Sequence, residues 1–311
     1  MSHDLIRVEI VAAVHNRKNI TLLCLRSLAR LNTSGLDIHV VIVDDGSTDG
    51  TTEAVQAEFP GVELVQGNGD LWYTEGTNVG VRAALKHDPA FVLMINDDSV
   101  FDADALKLMV DTASRYPRSI VGSLLLLWDT PHKVFQVSPL WETRLGGWRH
   151  WQTQSVWTVP SRTWSVDLIV GNCVLVPALA FKEGGLMNSR RYPNFGDAEF
   201  TPRLKRLGWN LLIDPRARVF CQPNTEPARL RKMSLIKLIS ALFIDLGNSH
   251  NLRRRFFANI DGAPSKMQGL LAYLVFLVRA ALGKGHESEK WARNQEEPPL
   301  SVTFATRTLD G

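Results

Sequence analysis

Apolar residues fall in short, bounded runs along the first two thirds of the chain. Val8–Val14, Ile38–Val43, Val62–Val65 and Phe91–Ile95 are each closed by polar residues. Such runs predict strands buried on both faces. Between them the period lengthens to that of helices. Ile20–Leu31 puts Leu25, Leu28 and Ala29 near one face, and Ala103–Tyr116 puts Leu106, Met109, Val110 and Ala113 on one side. Thr51–Phe59 and Asn78–Lys86 read as two shorter helices. Strand and helix patterns in alternation predict an α/β fold with a mostly parallel sheet. From Trp128 to Trp164 the pattern turns irregular, and this span holds six of the nine tryptophans. Their rings are expected to pack a small layer over the sheet, with a platform for the faces of an acceptor sugar as the alternative. Asp167–Pro177 reads as a further strand, Glu199–Leu207 as a helix stopped by Gly208, and Leu211–Ile213 and Arg218–Cys221 as closing strands.

Pro223–Pro227 marks a boundary. Residues 1–225 are therefore expected to form one sheet domain, 226–290 a helical region and 291–311 a loose tail. Leu230–Leu246 and Gly269–Leu282 have helical, apolar patterns and flank a basic, polar stretch at Arg253–Arg255. Basic residues outweigh acidic ones in this region. A resting place on an anionic membrane, a face for a lipid-diphosphate acceptor and a dimer contact all suit it.

Bulk properties narrow the class. The chain has 311 residues, 45% hydrophobic and 22% charged, ordinary values for a globular protein. A net charge of +3 gives no ground for nucleic acid as a partner. Cys24, Cys173 and Cys221 are widely spaced and form no CxxC pair or disulfide framework. No apolar signal core opens the chain, and no run reaches the ~20 residues a membrane span needs. The expectation is a cytoplasmic protein, with contact at the inner face of the membrane left open.

The candidate chemistry sits where strands end. Phe91–Ile95 runs through Asn96 into Asp97 and Asp98. Paired carboxylates at the carboxyl end of a strand lie where α/β sheets bind ligands, and they suit a hard divalent cation that also grips a diphosphate. Asn and Asp are equally at home in a plain turn. Val40–Val43 runs into Asp44 and Asp45, followed by Gly46-Ser-Thr-Asp49, which caps a helix and offers backbone N–H groups to an anion. Asn194-Phe-Gly-Asp-Ala-Glu-Phe200 sets Asp197 just ahead of a helix whose first turn carries Glu199. An acidic first turn suits the helix dipole, and a carboxylate there also suits a general base.

Together these three segments resemble the family 2 glycosyltransferases over roughly residues 7–222. Val-Ile-Val-Asp-Asp-Gly-Ser-Thr-Asp is specific to that family, Ile-Asn-Asp-Asp-Ser resembles its Asp-x-Asp metal motif, and Phe-Gly-Asp-Ala-Glu-Phe resembles its acceptor-side motif. The loop Gly67–Gly80 is similar to one in bacterial rhamnosyl- and galactofuranosyl-transferases of surface polysaccharide assembly, O-antigen included. The resemblance implies a GT-A fold and inverting sugar transfer from a nucleotide-diphosphate donor to a saccharide or lipid-linked acceptor. dTDP-rhamnose is the leading donor, otherwise a UDP-sugar. It implies that Ala13, His15, Asp44, Asp45 and Asp97 hold the nucleotide and that Asn68 and Asn78 shape the donor pocket. By the same resemblance Trp72 would serve donor and acceptor alike, with Glu199 on the acceptor side, Asp98 would hold Mg²⁺ or Mn²⁺, and Asp197 would be the base.

The chain departs from the family pattern twice. Cys221 stands where many relatives carry a metal-ligating His, and a thiolate is a poor ligand for a hard cation. Thr77 replaces the usual Arg of the donor loop, which leaves Arg82 as a substitute charge. Rival enzyme classes fit worse. The loop after the first strand lacks the G-x-G-x-x-G of a dinucleotide-binding oxidoreductase and the Gly-rich loop of a nucleotidyltransferase. A non-catalytic sugar-binding protein on the same fold is the remaining alternative.

Overall fold

The computed structural model describes residues 5–151, 154–221, 234–245 and 251–282. The expected tail, the 223–227 boundary and the start of the 230–246 helix lie outside the described residues. The strands are β1 (Ile6–Val14), β2 (Leu36–Asp44), β3 (Glu63–Gln66), β4 (Phe91–Asn96), β5 (Ser99–Phe101), β6 (Ser119–Leu127), β7 (Val134–Glu142), β8 (Gly147–Trp151), β9 (Trp164–Ser165), β10 (Cys173–Pro177) and β11 (Asn210–Cys221). The helices are α1 (Lys18–Leu28), α2 (Thr51–Glu58), α3 (Trp72–Ala84), α4 (Ala105–Arg115), α5 (Ala178–Gly184), α6 (Asp197–Arg206), α7 (Leu235–Ile239), α8 (Leu252–Gly262) and α9 (Lys266–Ala281).

The sheet runs in the order β3-β2-β1-β4-β10-β6-β11-β5. Strands β3, β2, β1 and β4 are parallel, β10 is antiparallel to both its neighbours, and β11 is parallel to β6. Alternate residues of each strand enter opposite layers, as the two-residue period requires. Val8, Ile10 and Ala12 pack with Leu22, Leu25, Leu106 and Met109. Val11, Val92 and Met94 pack with Val81, Ala84, Phe181 and Phe200. The sheet is thus covered on both faces, which explains why its strands read as unbroken apolar runs.

Four elements differ from the sequence expectation. Helix α3 starts at Trp72 rather than Asn78, taking in most of the expected donor loop. Its glycines hid it, yet they are what lets it lie on the sheet. A Cβ at Gly76 would come within 2.8 Å of Ala13 Cβ, and one at Gly80 would collide with Val11. The 167–177 strand shortens to β10, because Gly171 and Asn172 turn toward the site while Asp167 pairs with Lys205 at 2.6 Å. The two expected closing strands are one, β11, whose pairing shifts register between Asp214 and Arg218, around Pro215. The polar stretch at Arg253–Arg255 is the first turn of α8, capped by the Asn251 side chain accepting from Arg254 N at 2.9 Å.

Helix α8 lies against α6, so close that a Cβ at Gly262 would sit 2.8 Å from Ala198 O. Helix α9 packs back on α8, where a Cβ at Gly269 would sit 2.5 Å from Asn259 O. The described part of the 226–290 region therefore covers the helix that carries Asp197. In the tryptophan-rich span, Trp141 and Trp148 meet edge to face at 4.9 Å, and Trp128 Nε1 donates to Phe220 O at 2.6 Å. The three cysteines are buried and free. Among the described residues no helix is long and apolar enough to cross a membrane.

Candidate active site

A cavity of ≈ 400 Å³ opens at the carboxyl ends of β1, β2 and β4, the place where α/β sheets bind ligands. Ala13, His15, Asp45, Trp72 and Asp97 line it, together with Arg17, Tyr73, Asn96 and Asn194. Asp45 organises one wall. Its Oδ1 accepts from Gly69 N at 2.8 Å, and its Oδ2 accepts from Leu71 N at 2.9 Å and Trp72 N at 3.2 Å. A Cβ at Gly67 would sit 2.6 Å from Asp45 Oδ1, so the loop approaches this closely only with glycine there. Trp72 is held at φ +59°, a conformation that costs a bulky residue roughly 1–3 kcal/mol, and its ring is 56% exposed. His15 Nδ1 donates to Asp45 O at 2.6 Å, and Asn16 Nδ2 lies 2.9 Å from His15 Nε2.

The other expected nucleotide contacts lie off the cavity wall. Asp44 is buried, accepting from Ser47 N at 2.9 Å and from the Thr52 hydroxyl. It shapes the loop and the start of α2. Asn68 Oδ1 accepts from Asp70 N at 3.1 Å within its own turn. Asn78 is buried and clamps the backbone of Met187, donating at 2.9 Å and accepting at 3.1 Å. Thr77 Oγ1 donates to Tyr73 O at 2.8 Å, and Arg82 pairs with Glu75 at 2.5 Å. Glu199 is buried and holds Arg203 at 2.5 Å, which in turn donates to the carbonyls of Gly184 and Leu186. That network ties α6 to the end of α5.

Asp97 and Asp98 share one cation. Arg17 Nη1 donates to Asp97 Oδ1 at 2.8 Å and Nη2 donates to Asp98 Oδ2 at 3.2 Å. Burial pushes the Asp97 carboxyl up to about 6; Arg17 pulls against that shift and the Asp98 charge adds to it. Asp98 Oδ1 and Asn96 Oδ1 are buried with no hydrogen-bond partner. Such orphaned oxygens are rare and costly. Two carboxylates already bridged by a positive group, with unpaired oxygens beside them, fit a hard divalent ion whose remaining ligands come from water and phosphate. Cys221 does not join this set. It pairs with Ser99 in the sheet, and burial and the Asp98 charge push its thiol well up, so it stays protonated. Among the described residues no group of three or more His, Cys, Asp or Glu side chains is placed to hold a metal ion.

Asp197 opens α6. Its Oδ2 accepts from Gly171 N at 2.9 Å, while Gly171 O accepts from the Tyr73 hydroxyl at 3.1 Å. A Cβ at Gly171 would run into that hydroxyl, so only glycine bridges Tyr73 and Asp197 in this way. Burial raises the Asp197 carboxyl above its ordinary range; backbone N–H groups and the Arg254 charge partly offset this. Arg254 reaches over from α8, its guanidinium 3.3 Å from the centre of the Phe195 ring. A carboxylate with raised affinity for protons, held on rigid backbone, is well suited to take a proton from a hydroxyl.

Sequence reasoning missed four of these residues. Arg17 sits in the polar loop after β1, where its charge was visible but not its target. Tyr73 and Gly171 carried a weak signal as an aromatic residue and a glycine within motif loops. Arg254 was visible only as part of the basic stretch at Arg253–Arg255, with nothing to place it beside Asp197.

Comparison with known proteins adds the following. Residues 9–141 match the family model described as glycosyl transferase family 2. The chain is 26% identical over 237 residues to the N-acetylglucosaminyl-diphospho-decaprenol L-rhamnosyltransferase of Mycobacterium tuberculosis, a match covering 69% of this chain and 76% of that one. It resembles the solved structure of GalNAc-T7 with UDP, GalNAc and Mn²⁺ at a TM-score of 0.59 and 12% identity, over 78% of this chain and 49% of that one. The chain thus spans about half the length of GalNAc-T7. It also resembles the mannosyltransferase PcManGT of Pyrobaculum calidifontis in complex with GDP-Man and Mn²⁺, at a TM-score of 0.51 and 15% identity, over 89% of this chain and 76% of that one. At these identities the two structures speak for the fold.

Proposed function

From the premise that residues 9–141 are a family 2 glycosyltransferase domain on a GT-A fold, we propose an inverting, metal-dependent transferase acting in cell-surface polysaccharide assembly. The donor is a nucleotide-diphosphate sugar, dTDP-rhamnose before a UDP-sugar. The acceptor is a saccharide carried on a lipid diphosphate, the kind of substrate named for the mycobacterial relative. One observation carries this reading. The Asp97 carboxylate and Tyr73, which shares Gly171 with Asp197, line the same cavity.

In this mechanism Ala13, His15 and Asp45 form the wall against the nucleotide. Asp98, with Asp97 and Asn96, would hold Mg²⁺ or Mn²⁺. When bound, such an ion neutralises charge on the departing diphosphate. Asp197 takes the proton of the acceptor hydroxyl as its oxygen bonds to the anomeric carbon. The bond from that carbon to the diphosphate breaks on the opposite face. A single displacement inverts the centre. The outward face of α9 (Met267, Leu270, Leu271, Leu274, Val278) is apolar and exposed, and it supports contact with the membrane that holds such an acceptor.

A thermal-shift panel of nucleotide diphosphates and their sugars, each with Mn²⁺, Mg²⁺ or chelator, tests the donor site. One nucleotide at a hundred times its Kd should stabilise the protein by about 2.7 kcal/mol, and only with metal. Asp197→Asn should keep that shift and lose about 10²- to 10⁴-fold in transfer. A flat panel together with no transfer by the wild type would sink the reading.

A further inference from the structure

Three cavities follow one another across the surface. The first, at the strand ends, shares Trp72 with a second of ≈ 520 Å³, which is lined by Asp70, Glu75, Ser189, Arg190 and Asp245 among others. The second shares Arg190 with a third of ≈ 310 Å³, lined by Asn188, Arg190, Arg191, Arg253 and Phe257. Chemistry changes along the track. The second cavity has an exposed indole on one side and carboxylates and a hydroxyl on the other, a surface suited to a polyhydroxylated ring. The third is built of guanidinium groups around an aromatic ring.

The arginine pocket is partly preorganised. Arg191 is fixed by Asp261 at 2.6 Å, and its guanidinium stacks 4.4 Å from the centre of the Phe257 ring. Arg253 approaches the same ring at 5.9 Å. Tyr192 also donates to Asp261, at 2.7 Å, so that carboxylate's capacity is already shared. Among the described residues neither Arg190 nor Arg253 enters an ion pair. Three guanidiniums with one carboxylate between them leave a net positive pocket. Planar, forked donors of this type match phosphate oxygens bidentately.

We propose that the Arg190–Arg191–Arg253 pocket binds the diphosphate that carries the acceptor saccharide, with the sugar lying in the second cavity against Trp72. Its role in acceptor recognition rests on the transfer reading; its capacity to bind a diphosphate does not. Trp72 then stands between donor and acceptor, which accounts for holding a bulky residue at positive φ with three hydrogen bonds to Asp45 in its loop.

Calorimetric titration of the full chain with inorganic pyrophosphate and with geranyl diphosphate, in chelator, tests the site. Both probes should bind the wild type. Arg190→Gln/Arg253→Gln should bind them at least about tenfold more weakly, with an unchanged melting temperature, since both side chains are on the surface. Arg17→Gln, in the first cavity, should bind them as the wild type does. Tighter binding of geranyl diphosphate than of pyrophosphate supports a lipid-borne ligand, and equal binding supports the diphosphate as the whole of what the pocket reads. Equal affinity in the wild type and the double variant overturns the proposal, as does a loss confined to Arg17→Gln. These titrations use no nucleotide, so failure of the donor panel and failure of this pocket are separate results.

Discussion

At Gly171 a single backbone unit serves two side chains. Its N–H fixes Asp197 and its carbonyl receives Tyr73, so the base is held by main chain rather than by another titratable group. The acidity of Asp197 is then a balance between burial, which raises its pKa, and the backbone N–H groups that lower it, to which the Arg254 charge adds a smaller lowering influence. The base must be ionised to act, so kcat/KM should fall as pH drops through a value above the ordinary carboxylate range. Removing the cation in Arg254→Gln takes away a lowering influence, so the folded-state pKa rises further. The acid limb of the profile should move to higher pH in that variant, with the plateau at high pH less affected. A uniform drop with an unmoved limb would mean that Arg254 acts only by packing on Phe195. The carboxylates themselves were legible in the sequence because each follows an apolar run or opens a helix. Their partners were not. Arg17 reaches Asp97 and Asp98, and Arg254 reaches Asp197, only because the fold brings distant segments together.

Among the elements, the parallel strands were readable and two helices were not, for opposite reasons. Strand β4 is buried on both faces, so composition alone announces it. The first half of α3 is glycine-containing and polar, and its helicity comes from packing on β1 rather than from propensity. The start of α8 is hidden by three successive arginines, although Phe256 and Phe257 follow at once. What starts α8 is Asn251, fully buried and accepting from Arg254 N at 2.9 Å. Asn251→Ala removes that cap and should cost about 1 kcal/mol. For a domain of this size that corresponds to a fall of roughly 2–4 °C in Tm. Because the capped residue is Arg254 itself, the same variant should also move the acid limb of the pH profile upward. A lower Tm with an unmoved limb would show that the cap stabilises α8 without positioning the arginine.

Over the whole molecule, the expected division at residue 225 does not separate chemistry from appendage. Helix α8 lies on α6, and α9 lies on α8, so the C-terminal helices help enclose the base. Helix α9 does this with one face only. Gly269 and Ala272 turn inward, while Met267, Leu270, Leu271, Leu274 and Val278 stay exposed, Leu270 at 45% and Leu274 at 50%. A helix apolar on both sides needs a second covering. Lys266 and Arg279 flank the outward face, so an anionic bilayer complements it in both apolarity and charge. The full chain should therefore float with vesicles containing anionic lipid and bind weakly to neutral ones. Leu270→Glu/Leu274→Glu should lose about tenfold or more in vesicle affinity, since it removes two apolar contacts and adds two like charges. Its Tm should hold, because both side chains lie on the exposed outward face. Transfer to a water-soluble acceptor should hold as well, while transfer to one embedded in vesicles falls. If the wild type stays in solution and sediments as a dimer that the double variant dissociates, the outward face of α9 covers a second copy of this chain and not a membrane.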